Sequence, residues 1–186
     1  MDLDKLTNKE LGQLFPIVIS DPLPDWIDLF NAEKTEIEKA IGINNIIRIE
    51  HIGSTSVPGL KAKPTIDILL EIAESTDKNK IIESLQKLNY HFIPKPENPP
   101  PHMMFVKGYT INGFHGQAYH IHIRYSGDCD EIYFRDYLIQ NPKIAQEYSA
   151  LKLQLAKEYK NNRELYTDKK TEFIKRITEL ARKEKR

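Results

Sequence analysis

The chain is poor in cysteine, in long apolar runs and in net charge. Cys129 is the only cysteine among 186 residues, which excludes an internal disulfide and a zinc site built from several cysteines. No apolar run approaches the roughly 20 residues that a helix needs to span a bilayer. The chain also does not open with a charged segment followed by an apolar one. We therefore expect a cytoplasmic protein without a membrane partner.

Acidic and basic side chains balance at 27 each, so the chain is neutral overall. The sequence has no basic strip interleaved with aromatic residues, which argues against a nucleic-acid partner. Residues 151 to 186 nevertheless hold 12 Lys and Arg against 6 Asp and Glu. This excess indicates either an anion-binding tail or, as we prefer, the solvated face of an amphipathic helix.

Length and composition predict one domain over residues 1–186, because the chain and its 40% hydrophobic fraction suffice for one substantial core. We divide it into an N-terminal extension at 1–20, a central part, and a mainly helical part at 128–186. Helical and strand patterns alternate in the central part. This predicts an α/β fold, in which a mixed β-sheet is flanked by helices and followed by a C-terminal helical segment.

Apolar spacing places the elements of the central part. One helix is predicted after Asp25 and another after Asp77, with each aspartate as the N-cap. Strands are predicted at 90–93, 103–108 and 117–125. The Asn112-Gly113 pair favours a hairpin that joins the last two as antiparallel neighbours.

The C-terminal part is predicted to form helices. Asp128 and Glu131 resemble a capping pair, and Asn141-Pro142 is expected to end one helix and begin the next. An inward stripe in the last helix includes Leu180. From Arg182 onward we expect the chain to fray.

The segment from Arg48 to Glu71 carries the most chemical information. A short isoleucine-rich strand enters Gly53-Ser54, where glycine permits a tight turn and a close approach to a ligand. Ser54, Thr55 and Ser56 supply three consecutive hydroxyls, and Lys61 and Lys63 follow with positive charge. Hydroxyls, free backbone amides and lysines together suit a phosphate or another anion.

Asp67 lies within the next predicted strand, Thr65 to Ile72, and is the only acidic residue between Glu50 and Glu71. A carboxylate in such a strand needs a cation, a hydrogen-bond partner or water. One interpretation is a metal ligand opposite the phosphate-binding turn. The other is an ordinary Gly-Ser turn whose amides Asp67 ties down.

His120 and His122 stand two residues apart in a predicted strand, so both project from one face of the sheet. Two imidazoles and Asp67 would favour zinc or another transition metal over magnesium. The alternative is a polar cleft edge, where both histidines hydrogen-bond Asp67 or the serine turn without metal. His51 is close enough in sequence to join this cluster, whereas His102 and His115 are expected to face solvent.

Twelve residues separate Ser54 from Asp67, and this arrangement resembles the nucleotidyltransferase superfamily. In that superfamily a Gly-Ser turn precedes a strand with acidic metal ligands, and the serine helps to hold the nucleotide phosphates. Longer stretches carry a closer resemblance. They are PDWIDLF at 24–30, EHIGSTSVPGLKAKPTIDI at 50–68, YHIHIR at 119–124 and FRDYL at 134–138, together with Tyr166, Lys170 and Phe173. In these stretches the chain resembles the GrpB family, whose fold is similar to that of the nucleotidyltransferases, and the resemblance extends from Asp21 onward.

The resemblance implies a nucleotidyltransferase-like sheet and a set of site residues. Asp67 and Ser54 would be catalytic, and Asp67 would bind a divalent metal ion, Mg²⁺, Mn²⁺ or Zn²⁺, to which the strand pattern adds His120 and His122 as ligands. The substrate-binding residues would be Gly53, Ser54, Thr55, Lys63, Arg135, Tyr166 and Lys170.

One departure from the enzymes of the superfamily concerns the carboxylates. Those enzymes carry two acids two residues apart, so that both grip one metal ion. Beside Asp67 the corresponding positions are Thr65 and Leu69. The strand expected to supply a third acid presents His120 and His122 instead.

Two classes of function follow. The first is a protein that binds a nucleotide or phosphorylated small molecule and acts as a metal-dependent nucleotidyltransferase. The second is a noncatalytic binding module on the same fold, or a His/His/Asp transition-metal site with hydrolytic chemistry. Arg135 has its own alternative, a surface ion pair with Asp130 or Asp136.

Overall fold

The fold is given by a computed structural model that describes residues 5–185. This part of the chain contains six α-helices and five strands in an α/β arrangement. The helices are α1 (Asn8–Leu14), α2 (Trp26–Ile41), α3 (Lys78–Lys87), α4 (Asp130–Gln140), α5 (Pro142–Glu158) and α6 (Arg163–Glu184). The strands are β1 (Arg48–Ile52), β2 (Thr65–Ile72), β3 (His91–Pro94), β4 (Met103–Thr110) and β5 (Gly113–Tyr125).

The five strands form one mixed sheet in the order β1-β2-β5-β4-β3. Strands β2 and β5 pair in parallel, while the other three pairings are antiparallel. The predicted mixed sheet with flanking helices and a C-terminal helical segment is confirmed. The predicted hairpin is also present, because β4 and β5 pair around Asn112-Gly113.

One face of the sheet packs against helices α2 and α3 to form the main hydrophobic core. Alternation along the strands sends Ile68, Ile121 and Phe105 to this face, where helices α2 and α3 cover them. Phe30 and Ile37 of α2 pack into this core and are almost fully buried. The opposite face therefore carries the remaining side chains of the central strands, including all those of the predicted site.

Helices α4, α5 and α6 pack together in a second apolar cluster. The cluster includes Val57 and Leu60 from the segment after the Gly-Ser turn, together with Phe134, Tyr148 and Ile177. The C-terminal helices are thereby fixed against the turn at Gly53. This contact brings residues near 150 and 170 close to residues near 54.

The helix termini correct several predictions. Asp77 caps α3 by accepting hydrogen bonds from the amides of Asn79 and Lys80, as expected. Asp25 occupies the N-cap position of α2, but its side chain makes no capping bond. Helix α4 begins after Cys129 without a side-chain cap, so the predicted Asp128–Glu131 capping pair is wrong.

Ion pairs explain the difference at α4. Asp128 and Asp130 bind Arg182 of α6, and Glu131 binds Arg124 at 2.7 Å. Arg182 is consequently held within a regular helix that continues to Glu184, so the predicted fraying from Arg182 is also wrong. Leu180, predicted to face inward, is 36% exposed.

Among residues 5–185, no helix combines the length and apolar character that crossing a bilayer requires.

Candidate functional site

The register of the sheet places the predicted site residues side by side. Asp67 of β2 pairs with His120 of β5, and His120 pairs with Val106 of β4. His122 stands in the next row on the same face, opposite Leu69 and Met104. Parallel pairing of β2 and β5 thus creates the cluster, although 53 residues separate Asp67 from His120.

Three potential metal ligands converge at this point. His120 Nδ1 lies 3.0 Å from Asp67 Oδ1, and His122 Nε2 lies 3.5 Å from the same oxygen. The three ligand atoms all lie within 4.8 Å of one another. The predicted grouping of Asp67, His120 and His122 is therefore present in the fold, in a geometry that suits either a bound cation or direct hydrogen bonds.

The protonation states of Asp67 and His120 suit a cation. Burial alone raises the pKa of Asp67, but hydrogen bonds from His120 and His122 outweigh it and hold the pKa well below its usual range. Burial lowers the pKa of His120 and exceeds the opposing effect of Asp67. An ionised carboxylate and a neutral imidazole are the forms that bind metal ions.

Tyr109 of β4 contacts the second ring nitrogen of His120, the one that does not face Asp67. Its hydroxyl lies 2.7 Å from His120 Nε2, and the two rings stack with centroids 5.7 Å apart. Phe15 and Phe114 pack against the Tyr109 ring. Outer partners of this kind hold a ligand imidazole in one orientation.

Gly53 brings the turn into direct contact with Asp67. Its φ of 72° and ψ of −170° lie in a region that is essentially restricted to glycine. A Cβ built on Gly53 would lie only 2.5 Å from Asp67 Oδ2. The glycine is needed both for its conformation and for the approach of the carboxylate.

The three hydroxyls after Gly53 have different partners. Ser56 Oγ donates to the Gly53 carbonyl at 2.6 Å, and Thr55 Oγ1 donates to the Thr65 carbonyl at 3.1 Å. Ser54 Oγ instead accepts from Nζ of Lys152, a residue of α5, at 2.8 Å. Only the first of the three hydroxyls therefore lines the pocket.

A group of cations, which we call the cation cluster, consists of Lys63, Lys152, Arg163 and Lys170. Tyr166 lies between two of them, with Lys63 Nζ at 5.7 Å and Lys170 Nζ at 5.2 Å from its ring centre. Burial, and then repulsion from neighbouring cations, lowers the pKa values of Lys63 and Lys152 to about 7. Burial also lowers the pKa of Lys170.

The cation cluster and the metal-ligand triad line one pocket with a cavity volume of about 1010 Å³. The predicted residues that line it are Gly53, Ser54, Lys63, Asp67, His120, His122, Tyr166 and Lys170. The pocket continues over β3 and β4, where Ile93, Met104 and Val106 form an apolar part.

Two predicted substrate-binding residues lie outside this lining. Thr55 is buried, and its hydroxyl contacts His51 Nε2 at 2.9 Å as well as the Thr65 carbonyl. Arg135 binds Glu50 at 2.8 Å, and it also binds Asp136 and the His51 carbonyl. Both residues stabilise the surroundings of the turn, and the Asp136 pairing matches the alternative stated for Arg135.

His51 does not join the triad. It alternates with Ile52 along β1, and Ile52 is the residue that pairs with Asp67. The His51 ring therefore points to the opposite face, where it stacks on Phe30 at 4.8 Å. His102 and His115 are exposed, as predicted.

Three residues that line the pocket were not predicted from the sequence. Lys152 follows Tyr148 by four residues and so shares its inward face, a signal that the charge of lysine obscured. Arg163 begins α6 and lies over the Tyr109 ring, 5.9 Å from its centre. Tyr109 could not be recognised, because β4 continues beyond the glycine at which the strand was expected to end.

A smaller hollow of about 440 Å³ lies beside Cys129 and Arg124. Burial raises the pKa of the Cys129 thiol to about 12, and its hydrogen bond to Glu71 acts in the same direction. The thiol is thus held protonated and unreactive.

Comparison with known proteins decides the family. A family model described as GrpB protein matches residues 16–180. The chain belongs to the GrpB family. The resemblance seen in the sequence motifs is thereby confirmed.

Other GrpB proteins align over most of this chain. The glutamate-rich protein GrpB of Alkalihalophilus pseudofirmus is 33% identical over 82% of this chain and 88% of its own length. The UPF0157 protein of Pseudomonas aeruginosa is 40% identical over 83% of this chain. The chain spans 63% of that relative, and 46% of the UPF0157 protein YqkA of Bacillus subtilis.

A solved structure shows the same fold. The crystal structure of the conserved protein GrpB from Enterococcus faecalis superposes with a TM-score of 0.79 at 29% sequence identity. The match covers 90% of this chain and 98% of that chain.

Proposed function

We propose that this GrpB-family chain binds a nucleotide or another phosphorylated small molecule, holds a divalent metal ion beside it, and acts in nucleotidyl transfer. The observation that supports this best is that the cation cluster and the triad of Asp67, His120 and His122 share one pocket. Cations bind the phosphates, and a metal ion next to them is the usual partner of phosphoryl-group chemistry.

The cations lack enough acidic partners of their own. Among residues 5–185, Asp67 is the one acid that raises the pKa of Lys63 or Lys170, and no acid does so for Lys152. Buried and partly buried cations that repel one another destabilise the fold unless an anion joins them. A phosphate group supplies that anion and accepts charge-assisted hydrogen bonds from lysine and arginine.

The triad fits a transition metal better than magnesium. Two imidazole nitrogens and one carboxylate oxygen are ligands that zinc and related ions prefer, whereas magnesium takes oxygen ligands. A bound ion of this kind polarises a phosphate oxygen or lowers the pKa of a bound water. Asp67, His120 and His122 would hold it, and Tyr109 would orient His120.

Metal content tests the triad. The purified protein, loaded with Zn²⁺ or Mn²⁺ and desalted, should retain about one ion per chain. The His120→Ala, His122→Ala double variant should retain none. A His102→Ala, His115→Ala variant removes two exposed histidines and serves as the matched control. Equal metal content in all three proteins would refute the site.

Thermal unfolding tests the ligand. A nucleoside triphosphate at 100 times its Kd stabilises a protein by about 2.7 kcal/mol. We therefore expect ATP or another triphosphate, with Zn²⁺ or Mn²⁺, to raise the Tm by several degrees. If no triphosphate shifts the Tm with or without metal, the proposed function is wrong.

A second candidate function is binding without catalysis. It is favoured by the single carboxylate of the triad, where nucleotidyltransferases carry at least two. Release of pyrophosphate from a bound triphosphate discriminates the two candidates. Binding without release, in the presence of small alcohol and amine acceptors, would identify a binding module.

A further inference from the structure

Ser54 and Lys152 make a contact that phosphate binding alone does not require. Lys152 Nζ lies 2.8 Å from Ser54 Oγ, and both residues line the pocket. The contact joins the Gly53 turn to the middle of α5, 98 residues away in sequence. A serine with a lysine at this distance is one of the forms of an activated nucleophile.

The surroundings of Lys152 favour a neutral amine. The residue is only 2% exposed, and burial disfavours its charged form. Nζ also donates to the Lys61 carbonyl. A neutral amine can keep that donor bond and still accept a proton from the serine through its lone pair.

The charged and titratable groups that face Lys152 are few. They are Lys63 from the loop before β2, Lys170 from α6 and Tyr148 from its own helix. Burial, then repulsion by Lys170 and Lys63, lowers the pKa of Lys152 to about 7. A base with this pKa is neutral in a large fraction of molecules at physiological pH.

Ser54 differs from its two neighbours because its hydroxyl is not used to fix the backbone of the turn. Ser56 and Thr55 use their hydroxyls to donate to backbone carbonyls, which fixes the turn. Among residues 5–185, the Ser54 hydroxyl donates to no backbone carbonyl, and besides Lys152 it contacts the hydroxyl of Tyr148. Its hydroxyl meets Lys152 on one side and the pocket on the other.

We propose that Ser54 is a nucleophile and Lys152 its general base, which together take a phosphoryl or nucleotidyl group from substrate onto Ser54 Oγ. This inference rests on the proposed function, because it uses the same phosphorylated substrate in the same pocket. It goes beyond that function in assigning a covalent intermediate and a base.

The step balances as follows. Ser54 Oγ forms a bond to phosphorus while the bond from phosphorus to the leaving oxygen breaks. The hydroxyl proton passes to Lys152 Nζ and then to the leaving oxygen. Water or an acceptor alcohol next attacks the phosphorus, gives up its proton through Lys152 and frees Ser54. Lys63, Lys170 and Arg163 stabilise the charge on the phosphoryl oxygens throughout.

Diisopropyl fluorophosphate is a direct probe, because it reacts with an activated serine by losing fluoride and leaves a stable adduct. We expect one adduct per chain, located on Ser54 by peptide mass spectrometry. Ser54→Ala should abolish it, whereas Ser75→Ala, the control at an exposed serine outside the pocket, should react like the wild type. The labelling rate should rise with pH and level off above about pH 7, where Lys152 is neutral.

Two variants of Lys152 distinguish a role as general base from a role as a positive charge. Lys152→Arg keeps a cation that cannot act as a base, and Lys152→Met keeps the length without charge. Both should label at least about 100-fold more slowly, in line with the contribution of general-base catalysis. The Tm of each variant is measured beside the rate, to show that the fold persists.

Pyrophosphate binding distinguishes failure of this inference from failure of the proposed function. If the wild type binds pyrophosphate but shows no adduct on Ser54, Ser54 is not a nucleophile, while the proposed phosphate-binding site is still supported. Labelling that is unchanged in Lys152→Arg would overturn the base. Protein that neither binds pyrophosphate nor reacts would overturn both proposals.

Discussion

At the scale of the residue, Gly53 is the position where conformation and chemistry depend on one another. Its positive φ lets the chain turn after β1, and the missing side chain leaves room for the Asp67 carboxylate. Asp67 in turn orients His120 and His122. A change at Gly53 should therefore affect both the fold and the triad.

We predict that Gly53→Ala destabilises the protein by roughly 2–4 kcal/mol, measured by urea unfolding. Backbone strain in this glycine-restricted region accounts for about 1–3 kcal/mol of this, and the collision with Asp67 accounts for the rest. Gly59→Ala is the control, because Gly59 has a φ of 74° but no atom within 4 Å of a built Cβ. Equal losses in the two variants would contradict the contact with Asp67.

His51 should make the stability depend on pH. Burial lowers its pKa to about 4, and its Nδ1 has no hydrogen-bond partner among the described residues. The unfolded chain therefore binds the proton first. The contribution of His51 is complete above its unfolded pKa of 6.5 and is lost as the pH falls toward 4.

We expect the wild type to lose about 2–3 kcal/mol from this source between pH 6.5 and pH 4. The loss should be absent from the difference curve of His51→Gln, measured by denaturant unfolding at several pH values. His102→Gln, at an exposed position, should unfold with the pH profile of the wild type. An identical profile for His51→Gln would show that His51 is not the group responsible.

The sequence predicted the residues of the metal-ligand triad better than it predicted the members of the cation cluster. His120 and His122 follow from strand alternation, because that pattern sends side chains two residues apart to one face. Asp67 was added from the resemblance to the nucleotidyltransferases. Lys152 was missed because its role depends on how α5 packs against the Gly53 turn. No local pattern encodes that distance.

At the scale of the element, the helix termini show how local signals succeed and fail. Asp77 and Asp25 look alike in sequence, yet only Asp77 accepts capping bonds. The backbone of Asp25 has helical torsion angles, with φ −81° and ψ −7°, so its carboxylate does not reach the free amides. An N-cap residue needs an extended backbone to do so.

We predict that Asp77→Ala lowers the free energy of unfolding by about 1 kcal/mol, whereas Asp25→Ala changes it by less than about 0.5 kcal/mol. Both variants are compared with the wild type by urea unfolding. A larger loss for Asp25→Ala than for Asp77→Ala would contradict the capping geometry.

Strand pairing shows the limit of prediction at this scale. The β4–β5 hairpin could be predicted because Asn112-Gly113 is a local turn signal. The parallel pairing of β2 with β5 could not, since it joins segments 53 residues apart and depends on the whole sheet. That pairing is what sets Asp67 beside His120.

At the scale of the whole molecule, the pocket joins two layers of different origin. The sheet supplies the triad, and α5 and α6 supply most of the cation cluster. The basic excess of residues 151 to 186 was assigned to a solvated helix face. In the fold most of these basic side chains are exposed, but Lys152, Arg163 and Lys170 line the pocket.

The cation cluster should make ligand stabilisation depend on pH. The folded pKa values of Lys63 and Lys152 are about 7 against 10.5 as the reference value, so stability from this source is lost as the pH falls through 7. Pyrophosphate should offset the loss by pairing with the protonated amines. We predict a larger pyrophosphate-induced rise in Tm at pH 6 than at pH 9, and an equal rise would contradict this.

The central claim is that the pocket binds phosphate through the cation cluster. Calorimetric titration of pyrophosphate at pH 7 into the wild type, a Lys63→Met, Lys170→Met variant and a Lys175→Met control tests it most directly. Lys175 lies on the exposed face of the same helix as Lys170. We predict that the control binds like the wild type and that the double variant binds at least about 100-fold more weakly. Equal affinity in all three proteins, or no binding to the wild type, would contradict the claim.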